Sequence, residues 1–250
     1  MSEVTKENQA VPLVLFSGGL DSTAVLEWAL KEYRRVDVLS FEMSGQPEKS
    51  QKEEKARRAI FLELSRLHAE DPKTYGEIGM HFVERIPGLK RFHCSSRMPQ
   101  MAGWLGATPN YVSMQTNAVY VGTVLGDTQG TRFTDAQWAW SYLCSTTETT
   151  GFEGQAPQLE APYRYKTKNE LLELVSPSLL QHVQWCEGKD EGDCGKCDSC
   201  LRMLQVAAIS STLHPEIYDA SLLKDRLHQL LVCHRKTSLY SEDVSVPNTQ

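Results

Sequence analysis

The chain has 250 residues, with 26 basic against 32 acidic side chains (net −6) and 40% apolar residues, enough for a sizeable core. Its 16 Gly and 11 Pro are average usage, which excludes collagen-like and wholly disordered chains. No stretch approaches the roughly 18 uninterrupted apolar residues of a membrane span, and the acidic excess without a Lys/Arg run argues against gripping a nucleic-acid backbone. The polar start Met1–Ala10, with Glu3, Lys6 and Glu7, lacks a signal-peptide pattern. The expectation is a cytoplasmic globular protein with no membrane and no direct nucleic-acid contact.

In chain order, Val11–Phe16 (VPLVLF) reads as a strand with Pro12 near its start. Ser17-Gly18-Gly19 breaks it, and Asp21–Tyr33 carries a helical apolar face at Val25, Leu26, Trp28, Ala29 and Leu30. Val36–Phe41 reads as a second strand. Gln51–His68 reads as a long amphipathic helix, with Ala59, Leu62 and Leu67 inward and its charges on a solvated face. Met80–Ile86 and Ala118–Val121 supply two more strands. Between Cys94 and Gln115 the residues Pro99, Gly103, Gly106 and Pro109 interrupt any long helix. Ser145–Pro162 reads as a loop, and Lys168–Val175, Arg202–Ser211 and Glu216–Val232 as helices. Strands alternating with helices predict an α/β fold, a parallel sheet covered by helices on both faces.

Strand, then Ser17-Gly18-Gly19-Leu20-Asp21-Ser22-Thr23, then helix, is the most informative pattern in the chain. Two glycines allow a sharp turn whose N–H groups approach a ligand without Cβ interference. The following helix offers unpaired first-turn N–H groups and the positive end of its dipole, a seat for phosphate oxygens. Ser17, Ser22 and Thr23 add hydroxyls, and Asp21 either caps the helix or helps hold Mg²⁺ between phosphates. No G-x₄-G-K-[S/T] and no G-x-G-x-x-G occurs, so kinase-like and dehydrogenase readings lack support.

Cys186-x₇-Cys194-x₂-Cys197-x₂-Cys200 offers four thiolates at a spacing that closes around one tetrahedral Zn²⁺, with Gly195 easing the turn. Reduced core cysteines fit badly with a segment as polar as EGKDEGDCGKCDSC. An iron–sulfur cluster is the rival, but its C-x₂-C-x₂-C run continues to a further cysteine and Pro where this chain has Leu204 and Gln205. Zinc is favoured, as a structural site with four protein ligands that fastens the C-terminal segment beside the glycine turn. Cys94, Cys144 and Cys233 read as structural, and the seven histidines form no metal or triad pattern.

FSGGLDST resembles the PP-loop of the ATP pyrophosphatases, which cleave ATP between its α- and β-phosphates and adenylate a substrate. The fold this implies is the Rossmann-like PP-loop (HUP-type) fold, with Phe16, Ser17, Gly18, Gly19, Leu20, Asp21, Ser22 and Thr23 at the nucleotide. A PP-loop followed by the C-x₇-C-x₂-C-x₂-C cluster resembles the 7-cyano-7-deazaguanine synthase family (QueC), in patches from about Leu13 to about Arg202. Phe41 followed by Gly45-Gln46 is similar to the family's Phe-Asp-Tyr-Gly-Gln, which implies that Phe41 lies by the adenine. Gly122, Asp127 and Gly130 follow its G-x₄-D-x-x-G. Pro162 and Lys168-x-Glu170 match its Pro-Leu-x₄-Lys-x-Glu, which implies that Lys168 lies near phosphates. Asp21, Asp127, Asp135 and Lys168 are the implied catalytic residues.

The departures fall where that family handles its substrate. Its Tyr-Pro-Asp-Cys-Arg corresponds to Phe133-Thr134-Asp135-Ala136-Gln137, in which Asp135 alone survives, and its Val-Pro-x-Arg-Asn to Val112-Ser113-Met114-Gln115. The helix Glu216–Val232 and the tail to Gln250 are additions. The organisation expected is a PP-loop domain at 11–175, a helical C-terminal segment with the zinc site at 176–233, and loose tails at 1–10 and 234–250. The resemblance implies ATP and Mg²⁺, a 7-carboxy-7-deazaguanine substrate, ammonia as acceptor, an amide and then a nitrile product, and a homodimer. Three other readings stand beside it. The acyl adenylate passes to an amine of a protein partner in a defence system, the chain is an inactive zinc-bearing adaptor, or it thiolates tRNA, for which a catalytic cysteine pair outside the zinc set is lacking.

Overall fold

A computed structural model of the chain describes residues 10–43, 47–86, 98–125, 133–186, 193–197, 199–205 and 229. Its elements are β1 (Val11–Leu15), α1 (Leu20–Glu32), β2 (Arg35–Met43), α2 (Pro47–Glu70), β3 (Glu77–Ile86), α3 (Met98–Ala107), β4 (Thr116–Val121), α4 (Phe133–Thr146), β5 (Gln158–Glu160), α5 (Lys168–Leu174) and α6 (Pro177–Leu180). A further helical stretch covers 199–205. The strands form one parallel sheet in the order β3-β2-β1-β4-β5. The expected α/β architecture is therefore present. Among the described residues, no helix is long and apolar enough to cross a membrane.

Alternate strand residues feed two cores, because successive side chains leave a strand on opposite faces. Val14, Val36, Val38, Ala118 and Tyr120 pack with α1, α2, α5 and α6. Leu13, Leu15, Leu39, Phe41, Val119 and Val121 pack with α3 and α4. A strand with helices on both faces has no solvent side, so β1 is apolar and buried throughout. Pro12 is tolerated in this central strand because the β1–β4 register shifts between Val11 and Leu13.

Several expectations need correction. α2 starts at Pro47, where the missing N–H costs nothing, so the helix is longer than its apolar pattern. Its buried stripe is Ala56, Arg57, Ile60 and Leu64, while Leu62, expected inward, is 75% exposed. α3 forms through Pro99, Gly103 and Gly106: a proline in the first turn removes no needed donor, and burial of Leu105 offsets the glycine cost. The expected loop 145–162 contains β5, a three-residue edge strand too short to show periodicity. α4 was unassigned, although Phe133, Ala136, Trp140 and Cys144 bury one helical face. Trp140 Nε1 donates to the Pro157 carbonyl (2.7 Å) and holds β5 to α4. The helix expected at 216–232, the tails, Cys94 and Cys233 lie outside the described residues, apart from Ala10 and Gln229.

Two close contacts fix α1 against its neighbours. Glu27, 1% exposed on α1, accepts from Ser176 N (2.9 Å), Tyr75 Oη (3.2 Å), Lys31 Nζ (2.8 Å) and Ser176 Oγ. A buried carboxylate with four donors is compensated, and it ties α1 to the α5–α6 junction. Gly122, just after β4, lies so close to α1 that a Cβ there would come within 2.5 Å of Ser22 N and 2.6 Å of the Asp21 carbonyl carbon. Backbone cannot yield as a side chain can. Gly122→Ala should therefore lower the unfolding free energy by about 1–3 kcal/mol in urea titrations; a wild-type midpoint would disprove this packing.

Candidate functional site

The glycine turn leaves β1 at the carboxyl edge of the sheet, where open α/β sheets bind ligands. Gly18 has φ +84, a conformation that a side chain would strain. A Cβ there would also stand 3.2 Å from Ala56 Cβ, Arg57 Cγ and the Glu53 carbonyl oxygen of α2. Gly19 is the N-cap of α1 and receives no side-chain cap. The Gly19 carbonyl accepts from Thr23 N (2.9 Å), Thr23 Oγ1 (2.8 Å) and Ser22 Oγ (3.1 Å), while Ser17 Oγ accepts from Gly19 N (3.3 Å). Ser17 N donates to Ser22 Oγ at 3.3 Å. The turn is thus shaped before any ligand arrives, which lowers the ordering cost of binding.

The expected nucleotide residues divide into two groups. Phe16, Leu20 and Thr23 are buried, so they shape the turn from below, with Phe16 against the Phe61 ring at 5.2 Å. Ser17, Gly18, Gly19, Asp21 and Ser22 form the turn and the first turn of α1. The amides of a helix's first turn have no intrahelical acceptor, so this end remains a polar, positive seat. Phe41 is buried at the carboxyl end of β2 and stacks on Trp104 of α3 at 5.3 Å and 9°.

Asp21 and Lys168 are 147 positions apart, and the fold joins them. Lys168 Nζ donates to both Asp21 carboxylate oxygens at 3.0 Å, with the side chains 22% and 17% exposed. A capping box places this lysine: Thr167 Oγ1 accepts from Glu170 N (3.3 Å) and Glu170 Oε2 from Thr167 N (2.7 Å), so α5 begins at Lys168. Between the two roles left open for Asp21, the helix cap is not the one it fills. Asp135 is exposed on the first turn of α4, beyond β4 in the chain. Asp127, Gly130 and Gly45-Gln46 lie outside the described residues.

Four cysteines meet as their spacing predicts. The sulfurs of Cys186, Cys194, Cys197 and Cys200 lie within 4.8 Å of one another and could hold a metal ion. Gly195 takes φ +68 at the turn. Backbone N–H groups already point at three of the sulfurs: Cys194 N at Cys186 Sγ (3.2 Å), Cys197 N at Cys194 Sγ (3.4 Å) and Cys200 N at Cys197 Sγ (3.4 Å). Such contacts orient thiolates and spread their charge. Without a cation, the Cys186 thiol beside Cys200 and burial push the Cys200 thiol well above its usual range. The donor set fits a cation that would relieve this crowding. Cys144 is different, a buried core thiol pushed up to about 11 by desolvation.

Gln184 connects the cluster to the turn. Its N–H donates to the Gly18 carbonyl (2.8 Å) and its side-chain amide to the Cys186 carbonyl (2.7 Å). Reading the sequence missed this strut, and it also missed Arg57 and Glu42 beside the turn. Arg57 left a signal, a charged residue on the stripe of Ala56, Ile60 and Leu64. A cavity of about 1120 Å³ lies at the other end of the sheet, lined by Val11, Lys31, Arg34, His68, Gly76 and Gln115 among others. Its lining is mixed in charge, with Lys31, Arg34, Arg35 and Lys73 against Glu32 and Glu77.

With this geometry in place, the comparisons can be set beside it. The family model for the queuosine biosynthesis protein QueC matches residues 11–84. The 7-cyano-7-deazaguanine synthase of Thermoplasma volcanium is 24% identical over 233 residues, 86% of this chain and 96% of that protein. The one from Hahella chejuensis is 27% identical over 226 residues, 85% and 94% of the two chains. The one from Alkalilimnicola ehrlichii is 52% identical over 42 residues, 17% of each. These matches are consistent with a divergent QueC-family member. Among solved structures, the U34-tRNA thiolase NcsA from Methanococcus maripaludis with its [4Fe-4S] cluster superposes at a TM-score of 0.38 and 12% identity, covering 98% of this chain and 77% of that one. That likeness is too weak to bear on metal or reaction.

Replacing Cys200 with Ser should leave the purified protein with little bound metal by elemental analysis. Its melting temperature should fall by about 10 °C, as expected for losing about 3 kcal/mol in a chain of this size. Unchanged metal content would mean that the four sulfurs do not form a site.

Proposed function

We propose that this chain, a divergent relative of the QueC family, is an ATP-dependent ligase that adenylates the carboxylate of 7-carboxy-7-deazaguanine. Ammonia then gives the amide, and a second activation gives 7-cyano-7-deazaguanine. The observation that carries this reading is the glycine turn with the Asp21–Lys168 pair at its mouth, in a chain whose full-length relatives are 7-cyano-7-deazaguanine synthases.

A carboxylate is a poor electrophile because its charge is delocalised. Transfer of AMP to it makes a mixed anhydride with a good leaving group. The oxygen attacking the α-phosphorus displaces pyrophosphate, so the enzyme must stabilise charge growing on the β-phosphate. Mg²⁺ bound with the triphosphate would supply much of that charge. Asp21 is placed to draw that positive charge toward the turn, and in doing so to free the Lys168 ammonium for phosphate oxygens. The turn amides and Ser17 then hold the pyrophosphate in place. Positioning and electrostatics suffice, and no covalent enzyme nucleophile is needed.

The four cysteines are assigned to a structural zinc ion, since a site with four protein ligands leaves no open position for catalysis. In this reading residues 11–175 handle the nucleotide. The segment 176–233 is fastened beside them through Ser176, Gln184 and the metal, and the molecule works as a homodimer.

One observation favours a different acceptor, an amine on a protein partner. Trp138 and Tyr142 stand 72% and 62% exposed on α4, stacked at 5.9 Å on the helix that carries Asp135. Exposed aromatic pairs of this kind mark contact surfaces. Intact-mass analysis of candidate partners, incubated with enzyme, ATP and the acid, distinguishes the acceptors by an added acyl mass.

The primary test mixes the protein with MgATP, 7-carboxy-7-deazaguanine and ammonium and follows AMP release. AMP should appear only when the acid is present. Lys168→Met and Asp21→Asn should each lower kcat by about 10²–10³, the usual loss for one charge-stabilising group. No acid-dependent AMP would refute the reading.

A further inference from the structure

Arg57 has no place in the reading above, yet it is the charged side chain packed beneath the glycine turn. It is 2% exposed, on the inward stripe of α2 between Ala56 and Ile60. An arginine keeps its charge in any protein environment, and a buried charge needs a partner. Three carboxylates face it, Glu53, Glu42 and Glu54; Glu42 Oε1 is 3.9 Å from Nη2, beyond hydrogen-bond range, and Glu42 also serves Arg85 at 3.3 Å. Among the described residues, Nη1 is buried with no hydrogen-bond partner. A structural arginine–carboxylate pair would close to a short bidentate fork, and this one does not. The guanidinium has donors to spare.

Its position says for what. A Cβ on Gly18 would lie 3.2 Å from Arg57 Cγ, so the arginine stem runs along the turn itself. Leu15, the last residue of β1, pairs with Leu39 of β2, and Phe16 N donates to the Leu39 carbonyl at 2.8 Å. Glu42 lies three residues beyond Leu39, toward the carboxyl end of β2. The arginine therefore stands between the glycine turn, against its Cγ, and Glu42, 3.9 Å from its Nη2. On the other flank, Thr123 Oγ1, next to Gly122, is also buried with no partner. Unpaired buried polar atoms are uncommon in native proteins and call for an explanation, and ligand recognition supplies one here.

We infer that Arg57 is a phosphate-binding residue, whose guanidinium takes the β,γ-phosphate oxygens of a nucleoside triphosphate from the α2 side of the turn, as Lys168 does from α5. The inference rests on the reading that the turn seats a nucleotide, and it adds a second cation to that seat. Both cations face carboxylates, Lys168 paired with Asp21 and Arg57 among Glu53, Glu42 and Glu54. The arginine suits the pyrophosphate end rather than the organic acid, because its stem lies against Gly18.

The test is calorimetric titration of the full-length chain with Mg²⁺ and α,β-methylene-ATP, with Mg²⁺ and pyrophosphate, and with AMP. Arg57→Gln should weaken the ATP analogue and pyrophosphate at least tenfold and leave AMP within twofold. Arg57→Lys should recover part of the loss, and Glu42→Gln, which releases the guanidinium, should tighten pyrophosphate severalfold. If Arg57→Gln fails to fold, the Glu42→Gln and Arg57→Lys arms carry the decision. Equal affinities across these variants, or an AMP affinity that falls in parallel, would overturn the inference while leaving the nucleotide site standing. A wild-type protein that binds neither pyrophosphate nor the analogue would overturn both.

Discussion

Everything at the working edge of this molecule depends on backbone packed against backbone around one glycine turn. Gly18 can take its positive φ, and α2 can approach it, only because neither a Cβ nor a different φ intrudes. Gly122 lets the end of β4 lie against the first turn of α1. The Gln184 N–H closes the third side by donating to the Gly18 carbonyl. An anion seat built from amides works only if those amides are already aimed. Here the aim comes from three neighbouring segments and from Ser17, Ser22 and Thr23 within the turn.

The four-cysteine cluster belongs to the same construction. Cys186 follows Gln184 by two residues, and both Cys186 and Cys200 lie in the core shared by α1, α2 and α5. Closing four sulfurs around a cation therefore anchors the segment that presses on Gly18. Glu27 does comparable work nearer the middle of α1, where its buried carboxylate captures the Ser176 amide and hydroxyl. Among the described residues, the segment 176–186 is held to α1 and the turn by Glu27 and by the Gln184 N–H. Loss of either should act at a distance, by loosening the turn rather than by removing a group from the ligand.

The charges around the turn are arranged as exchangeable pairs. Lys168 is held by Asp21, and Arg57 stands among Glu53, Glu42 and Glu54, which spares the cost of two unpaired cations. A polyanion arriving with its own cation can take over both pairings. In this arrangement the same carboxylates that quiet the free protein become available when the ligand enters.

Much of this was legible in the amino-acid order because it is local. Strand, Ser-Gly-Gly and helix are adjacent in the chain, and the turn is dictated by glycines that nothing else can replace. The cysteine spacing likewise constrains four sulfurs within fifteen positions, so their convergence hardly depends on the rest of the fold. Strands alternating with helices announced the parallel sheet. Long-range juxtaposition was not legible. The resemblance points to Lys168 at phosphates, but its partner Asp21, 147 positions away, is set only by tertiary packing. Arg57 reads as one charge among many on an amphipathic helix until α2 rolls its Ala56–Ile60 stripe under Gly18. β5 is too short to have a period and exists only because β4 offers it an edge. Short-range chemistry is written in neighbouring residues, whereas the partner of a buried charge is chosen by how helices pack, and only the folded chain decides that.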